Sequence, residues 1–183
     1  MNFSSFPKIK TERLLLRKIE ESDAPVILYL RSDETINQFI ERPENRKTKT
    51  LEQALQFITD INQDFENNKS VTWGIVYNDQ PELIGTICFW NFSDNHTIAE
   101  VGYGLSPEFQ NKGIMTEVLQ RIIDFGFNEL KLAKIEAFTH TKNENSRKLL
   151  EKCGLQFIQD RKDDDNGSNV IYEIQNKQSS YFT

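Results

Sequence analysis

The stretch Ala99–Leu119 (AEVGYGLSPEFQNKGIMTEVL) constrains the possible fold more than any other part of this sequence. Its first seven residues are typical of a strand, Ser106-Pro107 indicates a turn, and a glycine-containing loop leads into a helix predicted from about Lys112. A helix that begins directly after such a loop presents unpaired backbone N–H groups, which bind anions. The stretch therefore predicts a strand–loop–helix junction that holds an anionic group.

The loop by itself does not identify the anion. Gln110-Asn111-Lys112-Gly113 contains one glycine, is not followed by the Gly-Lys-Ser/Thr of a P-loop, and lacks the G-x-G-x-x-G spacing of a dinucleotide site. One alternative is therefore that Gly113 only allows the chain to turn.

The N-terminal half of the sequence predicts one strand and two helices before a run of further strands. Thr11–Ile19 contains the first predicted strand, and Ser22 is the predicted N-cap of the first helix. Thr50, with Gln53 three residues later, predicts a capping box at the start of the second helix. The apolar stripe expected on that helix consists of Leu51, Leu55, Ile58, Ile61 and Phe65.

Short turns separate the next predicted strands, Val71–Tyr77, Glu82–Phe92 and the strand that ends at Leu105, which indicates an antiparallel meander. After the central helix, Lys134–His140 is predicted to be a strand parallel to the one that ends at Leu105. Asn143 is the predicted N-cap of a short helix that ends at Gly154, and a hairpin of residues 155–161 and 168–174 closes the chain.

Composition limits the classes of protein to consider. A chain of 183 residues with a net charge of −6 suits one soluble domain and disfavours a dedicated nucleic-acid binder. No apolar run has membrane-spanning length, and Cys88 and Cys153 make no metal-binding spacing with His96 or His140. We therefore expect a single cytoplasmic domain over residues 1–183, with a core of about 11–174, a frayed tail at 176–183, and no membrane, nucleic-acid or metal partner.

The order of these elements and several motifs resemble the GNAT superfamily of N-acetyltransferases, whose loop is Gln/Arg-x-x-Gly-x-Gly/Ala. Gln110, Gly113 and Met115 take the three marked positions, although Met115 replaces the usual small residue. Three further segments resemble the subgroup of ribosomal-protein N-terminal acetyltransferases: Thr11–Arg17 (TERLLLR), Asn143–Ser146 (NENS) and Glu151–Leu155 (EKCGL). The resemblance implies a fold of the α+β type, with a mixed, mostly antiparallel sheet of about seven strands, a splayed parallel central pair and about four flanking helices.

The resemblance also implies acetyl-CoA as co-substrate. Its pyrophosphate would be held by backbone N–H groups of seven consecutive residues: Gln110, Asn111, Lys112, Gly113, Ile114, Met115 and Thr116. Its pantetheine would pair with Tyr103, Gly104 and Leu105, and Asn143 would contact the cofactor. Gly102 and Gly104 fit a close approach of a ligand to the strand, and a β-bulge is the alternative explanation.

Glu100 is the candidate general base, because a carboxylate is out of place within the apolar run Val-Gly-Tyr-Gly-Leu and because acyl transfer needs a neutral amine. The alternative is that Glu100 faces solvent or pairs with a neighbouring strand. By resemblance, Ser146 lies near the thiol and is the candidate acid, with Tyr103 and Tyr172 as further possible donors.

These inferences predict an N-acetyltransferase that transfers acetyl directly to a primary amine, with a protein N-terminal α-amine as one candidate acceptor. The alternatives are an enzyme for small-molecule amines (a polyamine, an amino acid or an antibiotic) and a non-catalytic acyl-CoA-binding module. The chain is expected to be a monomer or a homodimer.

Overall fold

The computed structural model describes residues 5–176. Its strands are β1 (Ile9–Lys10), β2 (Leu14–Arg17), β3 (Val71–Tyr77), β4 (Gly85–Trp90), β5 (Ile98–Leu105), β6 (Lys134–His140), β7 (Gln156–Phe157) and β8 (Asn169–Gln175). Its α-helices are α1 (Ala24–Ser32), α2 (Glu34–Asn37), α3 (Leu51–Glu66), α4 (Ile114–Asn128) and α5 (Glu144–Lys152). Short 3₁₀ turns occupy Glu21–Asp23, Glu44–Arg46 and Pro107–Phe109.

The strands form a mixed sheet in the order β1-β2-β3-β4-β5-β6-β8-β7. β5 and β6 are parallel, as predicted, whereas β1–β2, β2–β3, β6–β8 and β7–β8 are antiparallel. Within residues 5–176 the sheet has eight strands, not about seven, because the two-residue β1 precedes the first predicted strand. The α/β fold class is therefore confirmed, with a small difference in strand count.

The described chain comprises two compact units. The N-terminal unit contains residues 5–88 and 103–114, and the C-terminal unit contains residues 89–102 and 115–176. Each is described by itself below. The single domain predicted over residues 1–183 stays a prediction, and most of the predicted frayed tail lies outside the described residues. Asn176, its first residue, is held by a 2.8 Å backbone hydrogen bond to the carbonyl of Ala133.

In the N-terminal unit, α1 and α3 pack together around an apolar cluster that includes Ile27, Leu30, Ala54 and Ile58. α3 begins as predicted, because the Thr50 hydroxyl accepts a hydrogen bond from the Gln53 N–H. The predicted stripe is wrong at one position. Leu51 is 48% exposed, and Ala54 is buried in the cluster in its place.

The predicted Ser22 cap of the first helix is also wrong. Glu20 and Asp23 form a capping box around the 3₁₀ turn that precedes α1. The Asp23 carboxylate accepts from the Glu20 N–H at 2.8 Å and from both terminal nitrogens of Arg17, at 2.7 and 2.9 Å. This paired carboxylate places the start of the helix one residue later than the sequence pattern indicated.

In the C-terminal unit, α4 buries one stripe of side chains, Met115, Leu119, Ile122 and Phe125. Gly126 allows the helix to approach its neighbours closely, since a Cβ there would lie 2.9 Å from the Ile135 side chain. Both local signals predicted for α5 are confirmed: Asn143 caps its start and Gly154, with a φ of +91°, follows its end. No helix within residues 5–176 has the length and apolar character needed to cross a membrane.

Candidate active site

The parallel pairing of β5 with β6 lies at the start of both strands. The register runs from Ile98–Lys134 through Ala99–Ile135 to Glu100–Glu136, and the pairs recorded within the C-terminal unit end there. β6 continues to His140, paired with β8 along its other edge. Alternate peptide groups of β6 beyond Glu136 point away from β8.

Glu100 lies at the last pair of this register and is half-buried. Its Oε1 accepts a 2.7 Å hydrogen bond from the amide of Asn91. Burial raises the pKa of Glu100 above its ordinary value, repulsion from Glu136 and Asp163 adds to this, and Asn91 and Arg161 act in the opposite direction. Glu100 is therefore a half-buried carboxylate that pairs with Asn91, the residue after β4, and its role as general base stays a prediction.

Glu136, the partner of Glu100 in the register, is only 5% exposed and forms ion pairs with two cationic side chains. Arg161 binds it with both terminal nitrogens, one at 2.9 Å, and Lys134 Nζ lies 2.6 Å from its Oε1. Burial alone would raise the pKa of Glu136, but these two cations outweigh it and the pKa is lowered. The two neighbouring carboxyl groups therefore differ: Glu136 is held as a neutralised anion, whereas Glu100 binds a proton more readily.

Residues 110–114 of the predicted phosphate loop lie in the N-terminal unit, which holds them by contacts of its own. Gly113 has a φ of +73° and Asn111 a φ of +58°, so a left-handed turn is present on either side of Lys112. Arg13 donates a 3.1 Å hydrogen bond to the Lys112 carbonyl, and the Gln110 amide donates at 3.1 Å to the carbonyl of Leu105. The Lys112 ammonium lies 5.5 Å from the ring centroid of Phe109.

The helix after this loop begins at Ile114, not at Lys112 as predicted, so Lys112 and Gly113 precede it. The side chains of Ile114 and Met115 are buried, 1% and 8% exposed. A cofactor role for these two residues would therefore depend on their backbone N–H groups. Thr116, in the first turn of the helix, is half-buried.

Gly104 on β5 faces open space. A Cβ on Gly104 would meet no atom nearer than Thr86 Oγ1 at 4.0 Å, so crowding within the protein does not account for this glycine. Gly85 on β4 contrasts with it, because a Cβ there would lie 2.5 Å from the carbonyl oxygen of Gly104. Tyr103 is half-buried beside Gly104, and Leu105 is buried at the end of the strand.

On α5, the side-chain Oδ1 of Asn143 accepts from the Ser146 N–H at 3.2 Å, which confirms the capping function of Asn143. Ser146 is half-buried in the first turn. Tyr172, a further candidate donor, is fully buried, and its hydroxyl accepts from Arg147 at 3.1 Å and donates to Glu151 at 2.9 Å. Both partners are side chains of α5, so the Tyr172 hydroxyl holds this helix against β8.

Three residues of these sites were not predicted from the sequence as site residues: Arg13, Glu136 and Arg161. Glu136 interrupts the apolar pattern of β6, as Glu100 does on β5, and this is a signal that was available. Arg13 and Arg161 carried no such signal, because their partners lie far away in the sequence. No group of three or more His, Cys, Asp or Glu side chains within the described chain is arranged to hold a metal ion.

Comparison with known proteins identifies relatives of the whole fold. A family model described as an acetyltransferase (GNAT) domain matches residues 13–156. The uncharacterised N-acetyltransferase YoaA of Bacillus subtilis is 36% identical over 151 residues, 82% of this chain and 84% of the relative. Two relatives at 26% identity have more specific names. The putative ribosomal N-acetyltransferase YdaF of Bacillus subtilis aligns over 79% of this chain and 78% of its own length. The spermidine N(1)-acetyltransferase of Vibrio cholerae aligns over 78% and 79%.

Solved structures agree with this fold. A GNAT-family acetyltransferase from Bacillus anthracis is 25% identical and superposes with a TM-score of 0.74 over 92% of this chain and 98% of its own. RimL, a ribosomal L7/L12 α-N-protein acetyltransferase solved in complex with coenzyme A, has a TM-score of 0.78 over 92% of this chain and 98% of its own. At 19% identity, the match to RimL shows a shared fold alone.

Proposed function

This chain belongs to the GNAT family of N-acetyltransferases, and we propose from that premise that it transfers acetyl from acetyl-CoA directly to a primary amine, with Glu100 as the general base. The half-buried Glu100 carboxylate, at the last pair of the β5–β6 register, is the observation that carries this proposal.

Three features fit an acetyl-CoA molecule. The open space at Gly104 accommodates a ligand chain against β5, as close approach to a glycine requires. The peptide groups of β6 beyond Glu136 that point away from β8 would pair with pantetheine amides. The left-handed residues Asn111 and Gly113 turn the loop that precedes α4, and N–H groups at a helix start attract phosphate. The bound co-substrate would supply an activated acetyl group on a good leaving thiolate.

Glu100 suits the removal of a proton from the amine. The attacking amine must be neutral, and an α-amine with a pKa of about 8 is neutral far more often at pH 7 than a lysine side chain with a pKa of about 10.4. A carboxylate whose pKa is raised by burial accepts a proton more readily than a solvated one, which brings it closer to the amine that it must deprotonate. A bridging water is compatible with the same function.

Ser146 is the proposed donor to the departing thiolate, because its hydroxyl lies in the first turn of α5 and Tyr172 is committed elsewhere. Direct transfer is favoured over an acyl-enzyme, since burial raises the pKa of Cys153 and so disfavours the nucleophilic thiolate. A non-catalytic module has no need of a half-buried carboxylate, which costs free energy to maintain.

A protein N-terminal α-amine is the proposed acceptor, supported by its lower pKa and by the name of YdaF. A polyamine is the second candidate, supported by the name of the Vibrio cholerae relative. A panel of ribosomal-protein N-terminal peptides and polyamines, assayed for CoA release, distinguishes the two by kcat/KM.

The proposal is tested with Glu100→Gln. We expect kcat/KM to fall by about 10²–10³-fold, within the usual range for a general base, while CoA affinity is retained. We also expect an unchanged or higher melting temperature. The reason is that a raised pKa in the folded state makes ionised Glu100 destabilising near neutral pH, and Gln removes the charge while it can still accept from Asn91.

Glu173→Gln is the matched control, because Glu173 lies opposite Glu136 on β8 and pairs with Lys134. It should keep kcat/KM within a few-fold of the wild type. A Glu100→Gln variant that melts at a lower temperature and keeps its rate would assign Glu100 a structural role and overturn the proposal.

A further inference from the structure

A cavity of about 370 Å³ opens in the N-terminal unit, within the part of the chain that runs from α1 to the start of α3. We call it the basic pocket. Its lining residues are Arg31, Ser32, Glu34, Asn37, Ile40, Arg42, Lys47, Thr48 and Lys49. Four of these side chains are cationic and one is a carboxylate, in a chain whose net charge is −6. The side chains that line the pocket therefore have a net positive charge, whereas the whole protein has a net negative charge.

Arg31 is fixed at this pocket by neutral partners. Its Nε donates to the Thr48 hydroxyl at 2.8 Å, one terminal nitrogen donates to the Arg46 carbonyl at 2.9 Å, and its guanidinium lies 3.8 Å from the ring centroid of Phe57. Thr48 is itself buried, with 3% of its surface exposed. These contacts hold the guanidinium in one orientation without neutralising its charge.

Arg42, also half-buried, donates to the side-chain oxygen of Asn37. Asn37 is oriented in turn by hydrogen bonds to the carbonyls of Leu30 and Asp33, at 3.0 and 2.8 Å. Among residues 5–176, neither Arg31 nor Arg42 forms an ion pair with a carboxylate. Burial, followed by repulsion from Arg42, lowers the pKa of Arg31 to about 10, and burial lowers that of Arg42.

The two lysines of the lining differ from the arginines, because both are paired. Lys47 and Lys49 contact the exposed carboxylate of Glu44, Lys49 at 2.9 Å. Glu44 offsets one of the two lysine charges, whereas neither guanidinium has a carboxylate partner among residues 5–176. Two half-buried like charges without a counterion are unfavourable for the free protein, so an anion that binds between them relieves both desolvation and repulsion.

We propose that the basic pocket is a binding site for a small organic anion, whose carboxylate or phosphate group is held by the guanidiniums of Arg31 and Arg42. Guanidinium groups match the planar or tetrahedral oxygens of these groups with paired N–H donors. The cavity volume lies at the small end of ligand sites, which fits a metabolite and not a macromolecule. Ile40, 42% exposed at the lining, offers an apolar contact to the carbon skeleton.

This site needs no acetyl transfer, so its test uses binding to the full chain. Citrate and inorganic phosphate are titrated calorimetrically at constant ionic strength, with CoA present at saturation so that the proposed phosphate loop is occupied. We expect at least one of the two probes to bind and to raise the melting temperature, with chloride as the inactive control. The stronger probe shows whether the natural ligand carries a carboxylate or a phosphate.

Arg42→Gln should weaken binding of the active probe at least tenfold, as expected for loss of a charged hydrogen-bond donor. Gln can still donate to Asn37, so the ligand-free variant should melt no lower than the wild type, whereas a purely structural arginine would leave it less stable.

Arg46→Gln is the matched control, since Arg46 is exposed in the same segment, is not in the pocket lining, and contributes its backbone carbonyl. It should bind the probe as the wild type does. Binding of neither probe, or equal losses in Arg42→Gln and Arg46→Gln, would overturn the proposal.

Discussion

Replacing Gly104 by alanine tests whether this glycine is required for ligand binding or for the stability of the fold. The added methyl group meets nothing nearer than Thr86 Oγ1 at 4.0 Å, and Gly104 does not have a left-handed φ, so the folded protein accommodates it. A tolerated Gly→Ala change stabilises by about 0.4–1 kcal/mol through the unfolded chain. For a chain of 183 residues this corresponds to a melting temperature roughly 1–4 °C higher.

Gly85→Ala is the matched control, because its methyl group would lie 2.5 Å from the Gly104 carbonyl oxygen and 3.2 Å from Leu105 Cα. Overlap with backbone costs about 1–3 kcal/mol, so the melting temperature should fall by roughly 2–12 °C.

Affinity for CoA should show a separate effect at Gly104. If pantetheine packs against β5 at this point, the same kind of overlap with the ligand costs about 1–3 kcal/mol and raises the Kd roughly 5- to 150-fold. Fluorimetric melting without ligand and calorimetric titration with CoA measure the two quantities. A lower melting temperature for Gly104→Ala would show that the glycine serves the packing of the protein, and an unchanged Kd would refute its role beside pantetheine.

Two further perturbations test the loop and the base. Gly113 and Gly154 have φ values of +73° and +91°, so valine at either should cost about 1–2 kcal/mol in urea unfolding, whereas Gly113→Val alone should also weaken CoA binding. Equal CoA affinities in the two variants would contradict a phosphate-binding loop. Arg161→Gln removes a cation that opposes the raised pKa of Glu100, so the acidic limb of the kcat/KM pH profile should move to higher pH. An acidic limb that does not shift in this variant would argue against Glu100 as the base. The same variant should also lose more unfolding free energy at pH 7 than at pH 4, relative to the wild type. The reason is that Arg161 and Lys134 lower the pKa of Glu136 in the folded state, and the stability that this provides is present only where Glu136 is ionised.

The elements that the sequence predicted well are those specified by nearby residues. β3 and β6 begin and end at the predicted residues, since each is an apolar, strand-forming run bounded by turns. The caps at Thr50, Asn143 and Gly154 also agree, because a cap is made by a side chain or a φ angle within one turn of the helix end.

Two wrong predictions, the Ser22 cap and the burial of Leu51, each concern a position where a nearby residue takes the expected role. Ser22 has the chemistry of an N-cap, but Asp23 is held by Arg17 and by the Glu20 N–H, so the first helix begins later. Leu51 matches the apolar spacing of α3 and yet is 48% exposed, because the end of the helix extends beyond the cluster that buries Ile58. Sequence spacing predicts a face of a helix, and packing decides how far that face is covered.

The sequence by itself indicated the family, through the motifs that resemble it, and Glu100 as an anomalous carboxylate. It also determined the order of most strands and helices, because periodicity, turns and caps act over a few residues, although β1 and α2 were not predicted. Only the tertiary structure decided that Glu136 is neutralised by Arg161 and Lys134 while Glu100 is not, and that Arg31 and Arg42 share a pocket in which neither is paired with a carboxylate of the described residues. The pKa of a carboxyl group and the charge of a cavity depend on desolvation and on Coulomb interactions through space. Those interactions join residues far apart in the chain, and no local pattern records them.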